Sequence, residues 1–244
     1  MDETIDRGRR RPVSLPAEGF ALRGDLTVPE DATGLVLFAH GSGSSRLSWR
    51  NRWVARELND HGLATLLFDL LTEEEEQADR ETRALRFDVA LLARRLATVT
   101  GWVETQPELR RLPLGYFGAS TGAAAALVAS IARPDVRAIV SRGGRPDLAG
   151  DRLGRVRAAT LLIVGGDDYG VIGLNRQALA RLRCAAALEV VPGATHLFEE
   201  PGTLEQVAEL AARWFHDHLK GSGRQPARRR ASWTRDSAPD SRPS

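Results

Sequence analysis

The chain has 244 residues, 42% of them hydrophobic, with a single cysteine and a formal net charge of +2. That is enough for one substantial core and excludes an internal disulfide; no run of about 18 apolar residues occurs and residues 1–12 carry no apolar leader, so a cytoplasmic location without membrane insertion is expected. The charge is uneven: residues 221–244 carry +4 and the first eleven +1, leaving residues 12–220 at −3, which argues against a nucleic-acid-binding body.

Residues 1–11 read as a flexible N-terminus and residues 12–220 as one folded domain. Its first segments, RPVSLPAEG and FALRGDLTVP, are polar and alternating, the pattern of an antiparallel edge hairpin with one solvated face. Six short apolar runs follow: GLVLFAHG, LATLLFDLL, LPLGYFGAS, VRAIVSRGG, ATLLIVGGDD and ALEVVPGATH. They are continuous in Val, Leu, Ile and Phe, as strands of a parallel sheet covered on both faces must be. Helices are predicted between them at 49–61, 79–105, 122–132, 171–182 and 204–219. The acidic stretch TEEEEQADRETR reads as a solvated loop and helix start and not as a metal site, because consecutive carboxylates do not converge. The pattern predicts an α/β fold with a mostly parallel central sheet flanked by helices. RGGRPDLAGDRLGRVRA, between two strands, is too short for a large cap domain. Residues 221–244, rich in Gly, Pro, Ser and Arg, read as a disordered basic tail.

In an open parallel sheet, ligands bind beyond the carboxyl ends of the strands, so chemically active side chains belong there. Ser120 follows LPLGYFG, Asp167 and Asp168 end TLLIVGG, and His196 follows LEVVPGAT, in the order Ser, Asp, His. A serine on a sharp strand-to-helix turn needs a strained backbone, and Gly118 and Gly122 leave room where side chains would clash. The helix behind it aims its N-terminal amides at the serine, so the Thr121 amide is placed to stabilise an oxyanion. Either aspartate could orient an imidazole, but the turn admits only one. The other histidines have structural explanations: His40 shapes a loop, His61 ends a helix, and His216 and His218 lie on the last amphipathic helix. Cys184 has no local histidine and reads as a structural thiol. Arg142 or Arg145, after a strand, could contact an anionic group, although an exposed loop arginine is ordinarily just solvated.

A strand, the turn Gly118-Ala119-Ser120-Thr121-Gly122, a helix, then acid and histidine in this order resemble the α/β-hydrolase fold over residues 12–219. The resemblance implies a second oxyanion donor from the loop after an early strand. His40-Gly41-Ser42-Gly43 resembles the H-G-x-G form of that loop and points to the Ser42 amide. It also favours Asp168, because similar chains read Gly, two variable residues, Asp at this turn, counted here from Gly165; Asp167 is the alternative. HGSGSSRLSWRNRWVARELNDHGLATLLFDLLT and VPGATHLFEEPG are similar in particular to the dienelactone-hydrolase-like branch, with Ser120 where the dienelactone hydrolases proper carry cysteine. The resemblance implies acyl transfer to Ser120, with His196 as general base and acid and Asp168 holding its tautomer, followed by hydrolysis of a small ester, lactone or thioester. It implies a small-molecule acyl substrate, no cofactor, no metal, and no nucleic-acid or membrane partner. Two alternatives stand beside it: an acyltransferase or perhydrolase using the same serine, and a non-catalytic binding protein on a hydrolase fold.

Overall fold

The apolar runs are strands: β3 (Leu35–Ala39), β4 (Ala64–Phe68), β5 (Leu114–Ala119), β6 (Val136–Arg142), β7 (Ala159–Gly165) and β8 (Ala186–Val191), preceded by β1 (Arg11–Ala17) and β2 (Phe20–Thr27). In the computed structural model, which describes residue 8 and residues 10–220, they form one sheet in the order β1-β2-β4-β3-β5-β6-β7-β8. The basic tail at 221–244 and most of the N-terminal segment lie outside the described residues. β1 and β2 pair antiparallel with each other, β2 pairs antiparallel with β4, and all pairs from β4 to β8 are parallel. Every residue of β3, β4, β5 and β7 is buried, which is why these runs show no alternation, whereas β1 at the edge alternates buried and exposed.

Among the described residues there are six α-helices: α1 (Trp49–Asp60), α2 (Glu73–Thr82), α3 (Val89–Thr105), α4 (Thr121–Ala132), α5 (Tyr169–Arg181) and α6 (Thr203–Leu219). One apolar layer joins α3 and α4 to the sheet through Leu96, Val99, Ala125 and Leu127. The other joins α1 and α6 through Val54, Leu58, Val207 and Phe215. Burying apolar area on both faces supplies the main favourable term of such a fold. The β6–β7 connection contains only short 3₁₀ turns at Pro146–Arg155, so no cap domain covers the carboxyl edge there.

The helix predicted at 79–105 is two helices, and its acidic prelude is helical as well. Thr72 starts α2 with a capping box: its hydroxyl accepts from the Glu75 amide at 3.1 Å, and the Glu75 carboxylate accepts from the Thr72 amide at 2.8 Å. Arg83 ends α2 in the left-handed region at φ 56°, and Asp88 restarts the chain as N-cap of α3, accepting from the Leu91 amide at 2.9 Å. Glu75 also takes both terminal nitrogens of Arg95 at 2.5 Å, and Arg95 in α3 is only 2% exposed. That guanidinium holds the Glu75 carboxyl below the usual carboxylate range. It also donates to the Leu70 carbonyl at 3.0 Å, so α2, α3 and the exit of β4 are tied at one point.

Candidate active site

Ser120 stands between β5 and α4 with φ 50° and ψ −120°, a backbone region costly for any residue with a side chain, by about 1–3 kcal/mol. The surroundings hold it there. Its amide donates to the Arg142 carbonyl at 3.2 Å, and its carbonyl accepts from the Arg145 amide at 3.1 Å and the Ala123 amide at 3.1 Å. Gly122 is required by close approach: a Cβ there would collide with the carbonyls of Ala39 and His40. Ala123 to Ala126 are fully buried, which lets α4 lie close to the sheet with its N-terminus at the serine.

Asp168 and His196 meet across two strand ends. The Nδ1–H of His196 donates to Asp168 Oδ2 at 2.7 Å, with the imidazole side chain 38% and the carboxylate side chain 15% exposed. The neighbouring Asp167 faces another way, accepting from the Tyr169 hydroxyl at 3.4 Å. Gly165 makes the meeting possible, because a Cβ there would collide with the Ala194 and Thr195 carbonyls of the loop that brings His196 over β7. That loop is anchored on both sides. Thr195 donates to Glu200 from its amide at 3.0 Å and its hydroxyl at 2.6 Å, and Glu199 pairs with Arg50 of α1 at 2.7 Å. The loop after β6 lies between the serine and the histidine. The Arg142 carbonyl and the Arg145 amide bind Ser120, and a Cβ on the intervening Gly143 would stand 3.5 Å from the His196 ring. Ser120 Oγ is not hydrogen-bonded to His196 here; such bonds are often long before substrate binds.

His40 fixes the loop after β3. Its Nδ1–H donates to the Gly41 carbonyl at 3.0 Å and its Nε2 accepts from the Leu70 amide at 3.0 Å, so the ring is neutral in that tautomer. Burial lowers its pKa below the usual imidazole value. The loop presses on the elbow: a Cβ on Gly41 would stand 3.1 Å from Ser120 Cβ. A cavity of about 230 Å³ opens beside it, lined by Ser42, Leu70, Arg86 and Thr121 among others. Its far wall is built by the buried Asp79, which accepts from the Leu85 amide at 2.7 Å and from Arg86 Nε at 2.5 Å. The Asx-type signal of Asp79 is hidden in a charged run, so sequence patterning does not reveal this wall.

Two expectations are corrected. Arg142 is not an exposed loop residue: it ends β6, is 7% exposed, and donates to Asn51 Oδ1 at 3.3 Å beneath α1. Burial, and then repulsion from Arg50, pulls its pKa down to about 10. Arg145 is neutralised by Asp147 at 2.8 Å. Cys184 is half-buried, and burial raises its thiol pKa, the opposite of an activated nucleophile.

Because His40 is held neutral, folded protein takes up its proton at lower pH than unfolded chain does. Stability is therefore lost as pH falls below the unfolded imidazole value of about 6.5 and goes on falling until the folded value is reached. The half-buried His218, shifted in the same direction by burial, shares this slope. His40→Gln is expected to be less stable than wild type near neutrality, yet to lose less on acidification to about pH 5.5, measured by urea unfolding. Equal slopes would contradict the neutral His40.

No family model matches the chain. A dienelactone hydrolase of Anabaena variabilis, known from its crystal structure, is 55% identical, with a TM-score of 0.86 over 88% of this chain and 100% of that one. Two Mycobacterium tuberculosis proteins with the provisional name phosphoribosyl transferase are 62% identical over 216 residues, 88% of this chain and 48% of theirs, so the chain spans about half their length. Est1E of Butyrivibrio proteoclasticus shares the fold at 14% identity, with a TM-score of 0.71 over 84% of this chain and 98% of that one.

Proposed function

The chain belongs to the dienelactone hydrolase family of α/β-hydrolase-fold proteins, and from that premise we propose that it is a serine hydrolase cleaving a small ester, lactone or thioester through an acyl-enzyme. The observation that carries this reading is the His196–Asp168 pair at 2.7 Å, joined by the loop after β6 to a serine held in the strained elbow conformation. Ser120 Oγ attacks the acyl carbon while His196 Nε2 takes its proton. Asp168 keeps the other ring nitrogen protonated and offsets the positive charge that develops on the ring. The tetrahedral oxyanion is met by the Thr121 and Ser42 amides, each donor contributing on the order of 3 kcal/mol to the barrier reduction. Collapse expels the alcohol or thiol, which leaves with the proton from His196. Water, deprotonated by the same ring, then attacks the acyl-enzyme and releases the acid.

The cavity beside Ser42 and Thr121 supports a small substrate, since about 230 Å³ holds a short acyl or alcohol group and not a polymer. The transferase name belongs to proteins twice this length. The match covers 48% of their length, so that name stays with those proteins and assigns no activity to this chain.

The test is turnover of p-nitrophenyl acetate and butyrate with and without added methanol. The expected result is saturable p-nitrophenol release with the free acid as main product. No turnover by folded protein would refute the reading, and methyl ester exceeding acid at low methanol would make the protein an acyltransferase.

A further inference from the structure

The opposite edge of the sheet, at the amino ends of β6, β7 and β8, carries a second concavity. It has a volume of about 550 Å³ and lies among the end of α4 and the turns entering those three strands. Ile131, Pro134 and Val156 give it an apolar wall, and Arg155, Arg157 and Arg183 give it charge. β6 and β7 have seven residues each, so about 23 Å of strand separates this groove from Ser120 and His196.

No carboxylate lines the groove. The acids nearby already have partners: Asp135 is held by Arg133 at 2.8 Å and Asp151 by Arg181 at 2.5 Å. Among the described residues, Arg155, Arg157 and Arg183 pair with no acid, although residues 12–220 as a whole carry −3. The charges are also brought together. Arg183 is laid across the backbone next to Arg155, with its Nε 3.7 Å from where a Cβ on Gly154 would stand. Three guanidinium groups facing one concavity repel one another unless a counter-charge sits between them, and their planar forks match phosphoryl oxygens.

We infer that this groove is a binding site for a small phosphate-bearing ligand with at least two phosphoryl groups, the apolar wall receiving its organic part. Its volume falls in the range of small-molecule sites. The groove's lining includes no aromatic side chain for base stacking, and the acidic body offers no continuing track for a nucleic-acid backbone, so a polymer is not the ligand. The groove's one thiol, Cys184, is half-buried, and burial raises its pKa, so the inference is one of binding alone.

Calorimetric titration at low salt, with inorganic diphosphate and with ADP as probes, tests the site. Both are expected to bind one per chain and to compete with each other. In the variant Arg155→Ala/Arg157→Ala/Arg183→Ala the affinity should fall by roughly a hundredfold or more, two or three charge-assisted contacts being lost. These arginines are exposed, so the variant should keep the wild-type melting temperature and ester turnover. No saturable binding to folded wild type, or undiminished binding to the triple variant, would overturn the inference. So would a single-stranded oligonucleotide that binds the groove more tightly than ADP.

Discussion

Ser120→Ala is expected to lower kcat for p-nitrophenyl acetate by roughly 10⁴-fold or more, and His196→Ala by a comparable factor. The double variant should be no worse than either single one, because nucleophile and base act as a unit whose parts do not add. Neither change should unfold the protein. Ser120 has no side-chain cap bond to lose, and its strained turn is held by backbone bonds to Arg142, Arg145 and Ala123 that Ala retains. A Ser120→Ala protein keeping more than about a tenth of wild-type turnover would place the nucleophile elsewhere.

Asp168→Asn is expected to cost roughly 10³- to 10⁴-fold in kcat, whereas Asp167→Asn should stay within about threefold of wild type. The difference rests on geometry that two adjacent carboxylates in a sequence do not display. Only Asp168 reaches His196 Nδ1, at 2.7 Å, while Asp167 is turned to the Tyr169 hydroxyl. An Asn in place of Asp168 offers an amide that can hold the imidazole in the wrong tautomer, leaving no free lone pair to accept the serine proton. If Asp167→Asn were the damaging change instead, the pair seen here would not be the working one.

The strands are legible because a run such as LVLFA, buried at all five positions in β3, cannot alternate, and the N-terminal hairpin of β1 and β2 is legible because it does. The elbow is legible for a related reason. Gly118 and Gly122 flank a serine at a point where apolar strand turns to Ala-rich helix, and each excludes a side chain that the tight packing could not hold. What escaped patterning depends on contacts between distant segments. The break between α2 and α3 has local signals in Thr72, Glu75 and Asp88, but a charged run masks them, and the reason α2 persists is its ion pair with Arg95, twenty residues on. Arg142 has no local signal at all. A charged residue closing a strand reads as solvent-facing, and only the sheet register and the position of α1 bury it. The arginine groove is likewise invisible in sequence, since it is assembled from three separate turns.

The central claim is that Ser120 is an activated, accessible nucleophile. A fluorophosphonate probe with peptide mass mapping tests it most directly, using wild type beside Ser120→Ala and His196→Ala. A single adduct on Ser120 is expected, absent from Ser120→Ala and formed far more slowly in His196→Ala. Folded wild type that takes no label, or takes it on another residue, would contradict it.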